Sequence, residues 1–108
     1  MDERYEQMCM ELIVNAGDGR SCAMEALGFA RGGDYEHARE KLSQAEDALL
    51  AAHKAQISMI QQETMGQRTE VTLLLVHAQD HIMNAMTVLD LVREMVMMYQ
   101  RMGGEQER

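Results

Sequence analysis

The segment from residue 73 to residue 86, LLLVHAQDHIMNAM, contains the side chains of this sequence that are best suited to do chemistry. Two imidazoles and a carboxylate lie there in a run that is otherwise almost wholly apolar. At 3.6 residues per turn, His77 and His81 are one helical turn apart, and Asp80 and Asn84 fall within roughly 60° of His77 around the helix. Ionisable groups are costly to bury unless they are paired, bound to a ligand or used. This stripe therefore marks the candidate functional site.

The stripe continues above and below through four apolar residues, Leu73, Val88, Leu91 and Met95. Three interpretations of a polar cluster in such a seam are open. The imidazoles can take part in catalysis, or His77, Asp80 and His81 can be metal ligands of a helical-bundle metalloprotein. Alternatively, the cluster only sets the register of a plain helical oligomerisation module. Spacing does not choose between them.

The run VHAQDHIMNAM, residues 76–86, resembles the signature of the lactose/cellobiose family of enzyme IIA. This family, which includes N,N'-diacetylchitobiose carriers, is the phosphocarrier component of the bacterial sugar phosphotransferase system (PTS). It typically has VHAQDHLMT, so Ile82 replaces Leu and Asn84 replaces Thr. Three further segments resemble the family's first two helices, in the same order along the chain: residues 12–17, 33–38 and 52–56.

The resemblance implies a role for several residues of the stripe. His77 would accept a phosphoryl group as phosphohistidine, and His81 would be its hydrogen-bonding neighbour. Gln79 would hydrogen-bond the phosphoryl group, and because it points away from His77 on the same helix, this contact would cross a subunit interface. Asp80 from three subunits would meet at a symmetry axis and bind a structural divalent cation, Mg²⁺. Without a metal, three carboxylates so close would have to share protons.

The resemblance also implies the protein's partners and cycle. His77 would accept phosphate from the carrier protein HPr and pass it to a cysteine of the cognate enzyme IIB. IIB would then phosphorylate a beta-linked disaccharide such as lactose or cellobiose during its uptake. The sequence has no nucleotide-binding glycine loop, which agrees with a carrier that uses no nucleotide.

Composition restricts the classes of partner. The chain has 108 residues and a formal net charge of −8. That charge argues against nucleic acid and anionic membrane surfaces, and it is compatible with a basic-faced protein partner. The 12 methionines are interpreted as adaptable core and interface filler.

Two cysteines and the absence of hydrophobic targeting segments predict a cytoplasmic protein. Cys9 and Cys22 have neither a Cys-x-x-Cys pairing nor zinc spacing, and they are interpreted as free, small hydrophobic residues. The first residues are acidic and lack the apolar core of a signal peptide. No apolar run approaches the roughly 20 residues needed to span a bilayer.

The pattern of apolar residues predicts an all-α fold in a single domain, residues 1–108. Proline is absent, and three-and-four spacing recurs across three helices, which are predicted at residues 3–31, 34–63 and 69–102, with a frayed tail at 103–108. Gly32 and Gly33 end the first helix, Asp34 caps the second, and Thr69 is the predicted cap of the third. Gly17 and Gly19 fall inside the first helix, where a continuous helix is favoured and a kink remains open.

The third helix is apolar on nearly all sides between Leu73 and Met98. Two partner helices from the same chain cannot easily cover a helix all round, so self-association is predicted. The family resemblance supplies the number. It implies a homotrimer of nine helices, in which each subunit is an antiparallel three-helix bundle.

Overall fold

The computed structural model describes residues 2–103, and its regular elements are three α-helices without strands. They are α1 (Glu3–Arg31), α2 (Tyr35–Thr64) and α3 (Leu73–Met102). The predicted all-α fold is confirmed. Beyond Gly103, the predicted tail lies outside the described residues.

Contacts between the helices give an up-down-up bundle. The α2–α3 pair is antiparallel, because Arg93 bonds Glu46 near the middle of the helices and Gln79 bonds Gln56 farther along. Lys41 Nζ lies 3.0 Å from Glu25 Oε1, so α1 and α2 are antiparallel as well. The three helices therefore form the antiparallel subunit that the sequence predicted.

The first connection follows the predicted glycine stop and aspartate restart. The N–H of Gly33 reaches the carbonyl of Ala30 at 3.0 Å, and Gly33 has a φ of 86°, which favours glycine. The Asp34 side chain then accepts a hydrogen bond from the His37 backbone N–H at 3.2 Å. This bond satisfies one of the free donors at the start of α2.

The third helix begins later than predicted, because Thr72 and not Thr69 is its cap. Thr72 is extended, and its Oγ1 accepts from the backbone N–H of Leu75 at 3.2 Å. The hydroxyl of Tyr5 holds this turn from α1, at 2.8 Å from Thr72 Oγ1 and 2.6 Å from the Glu70 carbonyl oxygen. Residues 69 and 70 therefore belong to the connection.

The core is rich in alanine, which lets the three helices approach closely. The buried residues of α1 and α2 follow the predicted three-and-four spacing, but two of these positions are not occupied by a hydrophobic side chain. Gly19 is buried in α1, and in α2 the buried register continues from Ala52 to Gln56. Ile57 and Ile60, apolar residues beyond Ala52 in the same helix, are exposed.

The two glycines near the middle of α1, Gly17 and Gly19, do not break it. Helix α1 is continuous from Glu3 to Arg31. A Cβ on Gly19 would stand 2.5 Å from Leu49 Cγ, whereas a Cβ on Gly17 would meet nothing within 4 Å. Gly19 is therefore a point of close helix approach and not a kink.

The side of α3 that faces the core is opposite to the predicted seam. Leu75, Ala78 and Ile82 begin a buried stripe that ends at Val96. The seam residues Leu73, Leu91 and Met95 are instead exposed, Leu73 at 85%. The four polar residues of the stripe are therefore not buried within a single chain, and the expected cost of burial arises only if another chain covers them.

Two further expectations concern cysteines and membranes. Cys9 is buried and Cys22 half-buried, and both are free thiols. Burial raises the pKa of the Cys9 thiol. No helix within residues 2–103 is both long and apolar enough to cross a membrane.

Candidate functional site

The two signature histidines contact each other in the second and third turns of α3. The Nε2 atoms of His77 and His81 are 3.1 Å apart, and the rings meet edge to face with centroids 4.5 Å apart. One ring nitrogen must donate and the other accept. His77 is exposed and His81 half-buried. The pair therefore presents an accessible imidazole whose orientation is set by its neighbour.

Asp80 and Asn84 share the exposed side of α3 with the histidines but do not join them. Within residues 2–103, neither side chain makes a hydrogen bond or ion pair. Asp80 lies near the middle of what we call the outward face of α3. This face consists of residues that fall within roughly 60° of one another around the helix and are exposed: Leu73, Val76, Asp80, Thr87, Leu91, Glu94 and Met98.

Gln79 lies on the α2 side of α3, roughly 160° around the helix from His77. Its Oε1 accepts a hydrogen bond from Gln56 Nε2 at 2.7 Å. The same Gln56 nitrogen is 3.6 Å from Met83 Sδ. Sequence reasoning missed Gln56, although it lies four residues after Ala52 in the buried register of α2.

Gln56 and Gln79 also line a narrow groove of about 150 Å³ between α2 and the start of α3. The other lining residues are Met59, Ile60, Glu63, Thr69, Val71 and Leu75. Apart from Gln56, Gln79, Glu63 and Thr69, the walls are apolar. The groove opens the Gln79 amide to the surface on the side away from His77.

The metal interpretation gains no support within one chain. Among residues 2–103, no three or more His, Cys, Asp or Glu side chains are grouped so that they could hold a metal ion. The predicted set of His77, Asp80 and His81 fails because the Asp80 carboxylate does not converge with the two rings.

The other two histidines lie outside this site. His37 is exposed; its Nδ1 is 2.6 Å from Asp34 Oδ2, and its ring stacks on Phe29. The hydrogen bond to Asp34 raises the pKa of His37, and the bonds from His37 lower the pKa of Asp34. His53 is half-buried, and its Nδ1 has no hydrogen-bond partner among the described residues.

Comparison with known proteins agrees with the signature. The profile described as "PTS system, Lactose/Cellobiose specific IIA subunit" matches residues 7–100. The lichenan-specific phosphotransferase enzyme IIA component of Bacillus subtilis (strain 168) is 50% identical over 101 residues, which are 94% of this chain and 92% of that protein.

Two solved structures have the same fold. The cellobiose-specific PTS enzyme IIA from Bacillus anthracis is 42% identical, with a TM-score of 0.91 over 98% of this chain and 97% of that one. The IIA(Chitobiose) chain of the Escherichia coli IIA(Chitobiose)–HPr complex is 34% identical, with a TM-score of 0.80 over 95% of this chain and 99% of that one. With this fold, the paired signature histidines and a family match over most of its length, the chain belongs to the lactose/cellobiose-specific IIA family of the sugar phosphotransferase system.

Proposed function

We propose that His77 is the phosphoryl acceptor of this phosphocarrier, taking the group from phospho-HPr and passing it to a cysteine of its cognate enzyme IIB. The observation that carries the proposal is the His77–His81 pair, 3.1 Å between Nε2 atoms on the exposed side of α3. An E. coli relative of the same fold was solved in complex with HPr, which supports HPr as the donor.

The chemistry requires one neutral imidazole nitrogen with a free lone pair. If His81 Nε2–H donates to His77 Nε2, the proton of His77 is on Nδ1 and the one lone pair of its Nε2 accepts this bond, which breaks before the lone pair is free to attack. That lone pair attacks phosphorus, forming the new N–P bond while the N–P bond of phospho-HPr breaks and its imidazole leaves. The thiolate of IIB then attacks the same phosphorus, forming an S–P bond and releasing His77.

His81 stabilises the product in this scheme. Once the Nε2 of His77 is phosphorylated, the His81 N–H can donate to a phosphoryl oxygen in place of the lone pair. A hydrogen bond to a charged acceptor is about twice as strong as a neutral one. Phosphoryl transfer depends mostly on positioning and electrostatic stabilisation, so a single oriented donor is a substantial contribution.

The outward face of α3 supports assembly as a homotrimer around this helix. Large apolar side chains remain exposed along it, including Val76 at 51%, Leu91 at 53% and Met98 at 59%. Exposed large apolar side chains that share one face of a helix mark an interaction surface. In a ring of three parallel helices, one flank of each helix packs against the opposite flank of the next. The flank with His77 would therefore meet the flank of a neighbouring copy that carries its Gln79.

Asp80 fits a cation site at the axis of such a trimer. Its carboxylate is exposed and unpaired among the described residues, and it lies near the middle of the outward face. Three carboxylates supply the oxygen ligands that Mg²⁺ prefers. A cation there would neutralise charge between subunits. Its role would be structural, because the Asp80 side chain makes no hydrogen bond or ion pair with His77 or His81.

The formal charge of −8 supports partners with basic surfaces, as expected for electrostatically steered encounters between carriers. The cycle implies a cytoplasmic location, where the phosphorylated donor is available. The sugar would be a beta-linked disaccharide such as lactose or cellobiose.

The direct test is the intact mass of the protein after incubation with phosphoenolpyruvate, enzyme I and HPr. One phosphoryl adduct per chain is expected, labile in acid and absent from His77→Gln. The matched control is His37→Gln, which changes an exposed histidine away from α3 and should still accept one phosphoryl group.

An adduct on His77→Gln at the wild-type level would show that the acceptor lies elsewhere. A His77→Gln protein that is less stable, combined with a wild-type chain that takes no phosphate from phospho-HPr, would favour the oligomerisation module. His81→Phe tests the role of His81 separately from that of His77. It should still be phosphorylated, but roughly tenfold more slowly, because one hydrogen bond to the phosphoryl group is lost.

A further inference from the structure

Of residues 2–103, Gln56 is the only polar residue classed as buried. A buried amide needs hydrogen-bond partners, and an apolar residue at this position of α2 would avoid that requirement. The partners of Gln56 are not backbone groups. Its Nε2 faces Gln79 Oε1 at 2.7 Å and Met83 Sδ at 3.6 Å, both on α3. The contacts of Gln56 are therefore directed at the helix that carries the acceptor.

The bond from Gln56 determines which end of the Gln79 amide faces inward. A glutamine side chain has one oxygen that accepts and one nitrogen that donates two hydrogen bonds. Because Gln56 donates, the Oε1 of Gln79 is held against α2. The Nε2 of Gln79 makes no hydrogen bond to the described residues, so both of its N–H groups are without a partner there, and the Gln79 side chain lines the groove between α2 and α3.

We propose that Gln56 is a positioning residue for phosphoryl transfer: it holds the Gln79 amide so that its N–H groups face the phosphohistidine of a neighbouring copy. The inference rests on the proposed function, in which His77 is phosphorylated at an interface between copies. Gln79 is roughly 160° around the helix from His77, so it cannot reach the phosphoryl group of its own chain.

The energetic reason is preorganisation. A free glutamine amide can present its oxygen or its nitrogen, and an oxygen facing a phosphoryl group is repelled. When the Gln79 amide is fixed with its nitrogen toward the phosphoryl site, the repelled orientation is no longer populated. The entropy cost of ordering the amide is then already met before the phosphoryl group arrives. Gln56 does so without burying a charge, since both groups are neutral, and their hydrogen bond is partly shielded from water.

The test compares single and double variants in single-turnover transfer from phospho-HPr, measured by rapid quench and intact mass. Gln56→Met keeps the length of the side chain but removes both donors. Gln56→Asn keeps the amide but shortens it by one methylene, so it cannot reach Gln79. The matched control is Gln61→Met, the same substitution at an exposed position of α2. Thermal unfolding and sedimentation show whether each variant folds and assembles.

If the proposal is right, Gln56→Met and Gln56→Asn each slow transfer by roughly tenfold, the loss expected for one hydrogen bond to a charged group. Gln79→Met should slow it to the same extent. Adding Gln56→Met to Gln79→Met should then cause no further loss, because Gln56 acts through Gln79. Gln61→Met should transfer at the wild-type rate.

A spectroscopic signature distinguishes positioning from a general packing effect. The side-chain ¹H–¹⁵N resonances of Gln79 should shift when wild-type protein is phosphorylated, and this shift should disappear in Gln56→Met. A role of Gln56 in stability alone would leave the shift in place.

Three results would overturn the proposal: wild-type rates in both Gln56 variants, a wild-type rate in Gln79→Met, or losses that add in the double variant. None of these results would contradict the proposed function. That function is contradicted by a different result, namely that His77→Gln still accepts phosphate.

Discussion

Gly19 of α1 lies directly against Leu49 of α2, so close that a Cβ on Gly19 would stand 2.5 Å from Leu49 Cγ. Leu49 is itself buried and cannot swing into solvent. We therefore expect Gly19→Ala to lower the free energy of unfolding in urea by up to about 2 kcal/mol, which is the usual overpacking cost of about 1–3 kcal/mol less the gain of about 1 kcal/mol in helix propensity.

The control is Gly17→Ala, two residues away in the same helix. A Cβ there meets nothing within 4 Å, so this variant should gain up to about 1 kcal/mol from helix propensity alone. Trimming Leu49 to alanine in the Gly19→Ala background should cost less than the two single changes added together. Equal effects at the two glycines would contradict the close-approach explanation.

Thr72 and Thr69 give a second paired prediction. Thr72 Oγ1 accepts from Leu75 N–H and contacts the Tyr5 hydroxyl at 2.8 Å. Thr72→Ala should therefore lower the free energy of unfolding by about 1 kcal/mol, as for other N-cap threonines. Thr69→Ala should change it by less than about 0.5 kcal/mol, since Thr69 caps no helix. Urea unfolding of both variants measures the difference. A larger loss of stability in Thr69→Ala than in Thr72→Ala would contradict the assignment of Thr72 as the N-cap of α3.

The sequence predicted the fold well because local signals agree with one another. Three-and-four spacing, the glycines at residues 32 and 33, and the Asp34 cap all indicate the same boundary between α1 and α2. The prediction of Thr69 as the cap of α3 was wrong because Thr69 and Thr72 are equally good N-cap residues by type. What distinguishes them is the Tyr5 hydroxyl, a contact from the far end of the sequence.

The site was harder to predict because α3 is apolar on all sides. Periodicity identifies one apolar face of a helix, but it cannot tell which of two faces turns inward. The small residues Ala78 and Ala85 decide it, since they allow close packing and are buried. The histidine pair was found from its spacing, whereas Gln56 was missed because a polar residue in a buried register is not recognisable until its partner Gln79 is located.

The Asp34–His37 pair predicts a pH window of stability. The pKa of Asp34 is lowered, so its contribution is present above its ordinary value of 3.8 and is lost as pH falls through the lowered value. The pKa of His37 is raised, so its contribution is present below 6.5 and is lost as pH rises through the raised value. Both contributions are therefore fully present between pH 3.8 and 6.5.

Wild-type protein should exceed His37→Gln in stability more at about pH 5 than at about pH 9, because only charged His37 attracts Asp34. Urea unfolding at the two pH values measures this difference. Asp34→Asn keeps an N-cap but removes the charge, and in that background the effect of His37→Gln should depend on pH much less, because only the weaker attraction of Glu36 and Glu40 remains. A difference that grows with rising pH would have the wrong sign for this pair.

Asp80 gives a prediction about assembly, because the proposed trimer brings three of its carboxylates together. Like charges at close range destabilise an assembly unless a cation binds between them. The trimer of the wild-type protein should therefore melt at a higher temperature in Mg²⁺ than in chelator. In Asp80→Asn the repulsion is absent, so its trimer should be at least as stable in chelator as the wild-type trimer and should not respond to Mg²⁺.

The control is Asp47→Asn, which removes the same charge from an exposed position on α2 and should keep the wild-type response to Mg²⁺. Sedimentation and thermal unfolding of the three proteins measure this, and an Asp80→Asn trimer that dissociates in chelator would show that the carboxylates do not face one another.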